Sequence, residues 1–216
     1  MLRRILIILC FATTCSAQRG SNSALLDPKS PQVNQTAPET YRVLFSTSKG
    51  DFTIQVTRTW APKGADRFYN LVKNGFYDDA RFFRVIREPR PFMAQFGISG
   101  DPAVSAKWSD ANLQDDPPKE SNTRGRISFA TAGPNTRTTQ VFINYGDNSR
   151  LDSAGFSPIG EVISGMEIVD QLYADYGEGA PNGRGPDQDR IEKEGTPYLT
   201  KGWPMLDYVK TARIVQ

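Results

Sequence analysis

Residues 129–143 read FATAGPNTRTTQVFI: a turn-rich stretch ending in a strand that carries Gln140 and Phe142. Strand-like runs flank the turn at 127–131 and 140–144. Further runs of the same kind lie before it at 81–86 and 93–98, and after it at 159–163 and 208–215. Upstream, YRVLFST at 41–47 and FTIQVT at 52–57 both alternate apolar and polar residues, as half-buried strands do. The Ser48–Lys49–Gly50–Asp51 turn between them predicts a β-hairpin. Pro62 opens a helix in which Phe68, Leu71 and Val72 share one face, and Asn74–Gly75 closes it. A second helix fits 166–173, with Ile168, Val169 and Leu172 aligned. Many short strands with only two helices predict an antiparallel barrel or sandwich, its open ends capped by those helices.

Composition narrows the chemistry. The 216 residues are 38% hydrophobic and 23% charged, an ordinary globular balance. There is no histidine, which excludes Ser-His-Asp and Cys-His nucleophile pairs. The two cysteines, Cys10 and Cys15, are too few for a four-ligand Cys/His metal site, and no EF-hand pattern is present. No cofactor or metal is expected. The run GEGAPNGRGP at 177–186 lacks the Lys-Ser/Thr ending of a phosphate loop and reads as a surface loop.

Three segments draw attention together: RFFRVI at 81–86, PFMAQFG at 91–97 and the stretch at 129–143. Strict alternation puts Arg84 on the same face as Phe82 and Ile86. An arginine among apolar residues is either half of an ion pair or a site residue, and taken alone the ion pair is the commoner case. Gln95, between Phe92, Met93 and Phe96, is open to the same two readings.

Taken in order, these segments resemble the cyclophilin family of peptidyl-prolyl cis–trans isomerases. RFFRVI and FMAQ are similar to the family's Phe-His-Arg and Phe-Met-x-Gln region. ATAGPNTRTTQVFI is similar to its Ala-Asn-Ala-Gly-Pro-Asn-Thr…Gln-Phe-Phe-Ile region. Arg150–Leu151–Asp152 followed by Phe156 is similar to its Trp-Leu-Asp…Phe-Gly region. The likeness covers 41 to about 173, and the longer tail at 177–215 looks like a bacterial exported branch. It implies a closed eight-stranded antiparallel β-barrel capped by two α-helices.

The resemblance also implies roles. Arg84 would be the donor to the twisted amide, and Gln95 would orient it. Phe92, Met93, Phe142 and Leu151 would form the apolar pocket for the proline ring, with Phe156 as a further wall. Ala130, Thr131 and Gln140 would line the groove for residues before the proline. Thr131 stands where the family usually has Asn, Arg150 where many members have Trp, and Phe156 at the common pocket His. Arg137–Thr138–Thr139 replaces a glycine-containing turn and is expected at the rim. The implied activity is X–Pro isomerisation in the folding of exported proteins. Unfolded or flexible proline-containing chains would be its partners, the protein a monomer, with no nucleic acid and no membrane span. A non-catalytic proline-peptide-binding or chaperone module is the alternative. A third reading, a barrel with no site, predicts that Arg84 is paired with a carboxylate and hidden from any groove.

Residues 1–17, MLRRILIILCFATTCSA, have the layout of a secretory signal peptide: Arg3 and Arg4, a short apolar run, then small residues to Ala17. Cleavage there removes both cysteines, and the two arginines it removes carry the whole net charge of +2. A neutral mature chain has no general pull toward nucleic acid or anionic lipid. The expected location is exported, periplasmic or extracellular. A minority reading has Cys15 lipidated as an anchor. Residues 18–40 are rich in Ser, Asn, Gln and Pro and read as a flexible leader. The isomerase-like domain then spans 41–216.

Overall fold

The computed structural model describes residues 23–216. The signal peptide and the Cys15 anchor fall outside the described residues. Eight strands form one antiparallel sheet: β1 (Thr40–Thr47), β2 (Asp51–Thr57), β3 (Arg84–Ile86), β4 (Met93–Phe96), β5 (Arg126–Phe129), β6 (Val141–Asn144), β7 (Pro158–Ser164) and β8 (Val209–Val215). Their order across the sheet is β3-β4-β6-β5-β7-β2-β1-β8. The predicted hairpin is β1–β2, and its register puts Phe45 opposite Phe52 with the rings stacked 5.0 Å apart.

The fold is mainly β as expected, but the sheet is a curled half-barrel with β3 and β8 as its edges. A single isolated bridge, Arg81↔Tyr208, crosses the gap. Around it the Asp79 N–H donates to Val209 O (2.8 Å) and the Phe82 N–H to Asp207 O (3.0 Å). Residues 79–82 therefore pair toward β8, and only from Arg84 does the chain pair with β4. That change of neighbour is why the run expected over 81–86 is a strand only from Arg84.

Among the described residues there are five α-helices rather than two: α1 (Pro62–Lys73), α2 (Pro102–Trp108), α3 (Met166–Val169), α4 (Gln188–Glu194) and α5 (Thr196–Gly202). The first and third were anticipated, and α3 is one turn where a longer helix was expected. Phe68, Leu71 and Val72 of α1 are buried on the predicted face. The α2 start does carry a local signal: Asp101 accepts the Ala103 N–H, and Pro102 sits at the first helical position. α4 has no such periodicity, because Ile191 is its one buried residue.

The stretch read as a flexible leader is anchored from Ser23 onward. Two short 3-10 turns, Ser23–Leu26 and Pro31–Val33, place Leu25 and Val33 in the core. The Trp108 indole donates to Leu25 O (2.8 Å), and Asn70 bonds both the N–H and the carbonyl of Gln35. Isolated apolar residues with no period left no trace of this in the sequence.

The barrel interior is aromatic, with Phe45, Phe52, Phe68, Tyr77, Phe82 and Phe96 all buried and in ring contact. A second cluster of Phe83, Ile98, Ile191, Leu199 and Leu206 joins α4 and α5 to the barrel's outside. α1 has no side-chain cap of its own. Its first N–H groups, of Lys63 and Gly64, donate instead to the distant Asp116 carboxylate (3.1 and 2.9 Å). The same carboxylate pairs with buried Arg137 at 3.2 Å. Arg137 is thus a structural ion pair beneath the surface, correcting its expected place at the rim.

Substituting Asp116→Ala removes the α1 cap and one of the two carboxylates beside a buried guanidinium. Asp115 remains 3.3 Å from Arg137, so we expect a loss of about 3 kcal/mol, the low end for breaking a buried pair. Urea unfolding of the variant against the native chain measures it.

Candidate active site

Alternation along three paired strands builds the site. On β3, β4 and β6, Val85, Ala94, Phe96, Val141 and Ile143 belong to the interior core. The residues between them face the other way. Arg84 lies opposite Gln95, and Gln95 opposite Phe142, so one cross-strand row runs over the outer face. Phe82, in contrast, is an interior residue. Arg84 therefore does not share its face, because the chain changes partner between the two.

The row borders a cavity of about 390 Å³, a size suited to a small ligand or a side chain or two. All ten residues singled out in the sequence line it: Arg84, Phe92, Met93, Gln95, Ala130, Thr131, Gln140, Phe142, Leu151 and Phe156. Met93 and Phe142 are buried and make the apolar floor. Phe156 meets Phe142 edge-on at 5.7 Å. The Arg84 guanidinium lies 5.7 Å from the Phe92 ring centroid, and that of Arg150 4.9 Å from the same ring. Arg150 is held by Asn148 (2.8 Å) and does not line the cavity.

The polar side is a relay. Arg84 Nη1 donates to Gln95 Oε1 (3.0 Å), and Gln95 Nε2 donates to Gln140 Oε1 (2.8 Å). Gln95, only 6% exposed, is satisfied at both ends of its amide. Ala130 and Gln140 are joined by their backbones where β5 ends and β6 begins, the Ala130 N–H donating to Gln140 O (2.9 Å). The Thr131 hydroxyl is turned into its own loop, toward Gly133 and Thr136.

Sequence reasoning missed part of the lining. Ser109, just after α2, and Gln188 and Glu192 of α4 wall the cavity's other side, with Thr136; Thr138, expected at the rim, lines it too. Burial raises the Glu192 carboxyl above its ordinary range, with Asp189 and Asp110 adding to the effect. It also missed Glu178, within the loop read as mere surface. Its carboxylate takes Arg84 Nε at 2.5 Å and Nη2 at 2.6 Å. The two readings of Arg84 are thus both met in part: it has a carboxylate partner, and it also lines a groove, with its side chain 23% exposed. No local pattern marks a partner so far along the chain. Among the described residues no group of His, Cys, Asp or Glu converges to hold a metal. No helix among them is long and apolar enough to cross a membrane.

Hydrogen bonding from Arg84 holds the Glu178 carboxyl below the usual carboxylate range, against the opposing effect of burial. A depressed value means the pair supports the fold above the free-glutamate range, and that support is lost as pH falls through the folded-state value.

The family model described as cyclophilin type peptidyl-prolyl cis-trans isomerase/CLD matches residues 42–195. A peptidyl-prolyl cis-trans isomerase of Acinetobacter baylyi is 35% identical over 136 residues, 60% of this chain and 70% of that protein. Peptidyl-prolyl cis-trans isomerase B of Escherichia coli is 32% identical over 161 residues, 70% of this chain and 93% of that protein. A crystal structure of a Cryptosporidium parvum cyclophilin type isomerase superposes with a TM-score of 0.60 at 22% identity, covering 82% of this chain and 98% of that one. A second structure of that isomerase, in the presence of the dipeptide Ala-Pro, gives 0.59 at 22% identity, covering 81% and 99%.

A carboxyl-detected NMR titration should place the Glu178 midpoint below the free-glutamate value of about 4.3. In Arg84→Ala it should move up. An ordinary midpoint in the native chain would contradict the paired geometry.

Proposed function

The chain belongs to the cyclophilin-type peptidyl-prolyl cis–trans isomerase family, and we propose that it accelerates X–Pro rotation in exported proteins at the groove beside Arg84. The observation that carries this is the convergence of ten residues from separate segments on one cavity, apolar on one side and headed by an arginine on the other.

The chemistry follows from the amide. Resonance sets a rotation barrier of ~18–20 kcal/mol. Around X–Pro the two isomers lie close in energy and exchange in tens to hundreds of seconds, slow enough to limit folding. Twisting the bond breaks the resonance and leaves a lone pair on a pyramidal proline nitrogen. A donor aimed at that lone pair binds the twisted state better than either planar one, and that difference is the acceleration. No covalent bond is made or broken, so neither a nucleophile nor a proton transfer is called for.

Arg84 is that donor in our reading. Its charge is permanent and its N–H groups are fixed in one plane. Gln95 orients it through the 3.0 Å bond and ties it to Gln140. The proline ring enters the apolar pocket of Phe92, Met93, Phe142, Leu151 and Phe156. The residues before it run along Ala130, Thr131 and Gln140, where an extended backbone can pair. The Thr131 side chain is occupied by its own loop, so its contact with a peptide would be through the backbone. The signal-like residues 1–17 support export to the periplasm or beyond, with unfolded proline-containing chains as clients and the protein acting as a monomer.

A non-catalytic proline-peptide-binding module on the same fold is the second reading. It is favoured by one observation: the Arg84 guanidinium already has a carboxylate partner in Glu178.

The two readings part in a cis–trans isomerisation assay on a short X–Pro peptide. We expect clear acceleration by the native chain and a loss of about 10²–10³-fold in Arg84→Ala, the scale for removing one transition-state donor. Circular dichroism should show both chains equally folded. A folded native chain no faster than background would overturn the isomerase reading and point to the binding module.

A further inference from the structure

Arg84 has five N–H donors, and the structure engages three. Nε and Nη2 meet the Glu178 carboxylate side-on at 2.5 and 2.6 Å, and Nη1 meets Gln95 at 3.0 Å. A bidentate guanidinium–carboxylate pair fixes a plane as well as supplying charge. Among the described residues two donors remain unengaged, one on each terminal nitrogen. Arg84 lines the cavity but Glu178 does not. The carboxylate therefore grips the arginine from outside the groove and leaves the groove open.

The loop that carries Glu178 is shaped around it. The Gly179 N–H donates to Glu178 Oε1 (2.9 Å), and the Gly185 N–H donates to Glu178 O (2.8 Å). A Cβ at Gly183 would stand 2.2 Å from that same carbonyl, and one at Gly185 2.9 Å from it. Only glycine permits the loop to fold back so closely. The Trp203 indole, donating to Arg184 O (2.8 Å), ties the far side of the loop down. Gly183 and Gly185 thus let the loop fold back on the backbone of the residue whose carboxylate meets Arg84.

We propose that Glu178 is a positioning residue for isomerisation: it locks the Arg84 guanidinium plane from behind, so that the two unengaged N–H groups face the twisted amide. The proposal rests on Arg84 being the donor to that amide. A guanidinium without the lock regains side-chain freedom that must be lost again in each turnover.

The test compares kcat and KM of the native chain, Glu178→Ala, Glu178→Gln and Glu178→Asp on an X–Pro peptide. In Glu178→Ala kcat should fall about 10-fold to 10²-fold, the scale for misplacing a catalytic group, with KM little changed. Glu178→Gln, which keeps the shape and one acceptor, should fall between, and Glu178→Asp should recover part of the loss. An unchanged kcat, a change in KM alone, or a rise in kcat would overturn the proposal, the rise marking Glu178 as an inhibitory latch. A second measurement is independent of turnover. The Arg84 Nε–H resonance in a ¹⁵N–¹H spectrum should be sharp and downfield in the native chain and lost in Glu178→Ala. Its persistence in that variant would also overturn the proposal. If the native chain showed no isomerase activity, the function reading would fall while this spectrum still decided whether Glu178 holds Arg84.

Discussion

Everything at the site depends on the two-residue period of three short strands. Period 2 sends Val85, Ala94, Phe96, Val141 and Ile143 into the core. It leaves Arg84, Gln95 and Phe142 as one row on the opposite face. A slip of one residue by β3 against β4 would bury a guanidinium in an aromatic interior. The hydrophobic demand of the core and the placement of the arginine are therefore one constraint. Because Ala94, Phe96 and Val85 must face inward, Arg84 and Gln95 must face outward and across from each other.

That constraint explains how a polar pair survives beside an apolar pocket. A buried donor or acceptor without a partner costs about 1–3 kcal/mol. Gln95 avoids this by bonding Arg84 at its oxygen and Gln140 at its nitrogen. Arg84 spends its charge on Glu178 and still reaches the groove. Next to this relay, Met93, Phe142 and Phe156 offer only apolar surface. The result is a donor held at the edge of an apolar floor, while the cavity's other wall, with Ser109, Thr136, Gln188 and Glu192, is polar.

The rest of the chain supports that face from a distance. Asp116 caps α1 and neutralises Arg137 underneath the turn that joins β5 to β6. α4 and α5 lean on the barrel's outside through Phe83, the residue before Arg84. α4 also supplies Gln188 and Glu192 to the cavity wall. The tail beyond the second predicted helix is thus part of the site, through both this wall and the Glu178 loop.

The strands, the first helix and the ten lining residues were legible because each is written in near neighbours: alternation, an i, i+3, i+4 face, and motif order along the chain. The local reading failed where the chain changed partners. Arg84 was placed on the face of Phe82 because alternation assumes one continuous strand, whereas residues 79–82 pair toward β8 and Arg84 pairs with β4. The stretch from Ser23 was read as loose because Leu25 and Val33 are lone apolar residues, and their burial is visible only once Trp108 and α1 are in place. α4 escaped notice with one apolar contact, and Arg137 was read as rim because its acidic partners lie outside its own motif. By itself the sequence determined the run of antiparallel strands and the buried face of the first helix, and its resemblance to a known family named the ten side chains that line the groove. Only the tertiary structure decided that the sheet stays open between β3 and β8, and that Glu178 meets Arg84. Periodicity reports which face a residue takes, but the meeting of distant residues is set by strand register and by the course of the loop after α3.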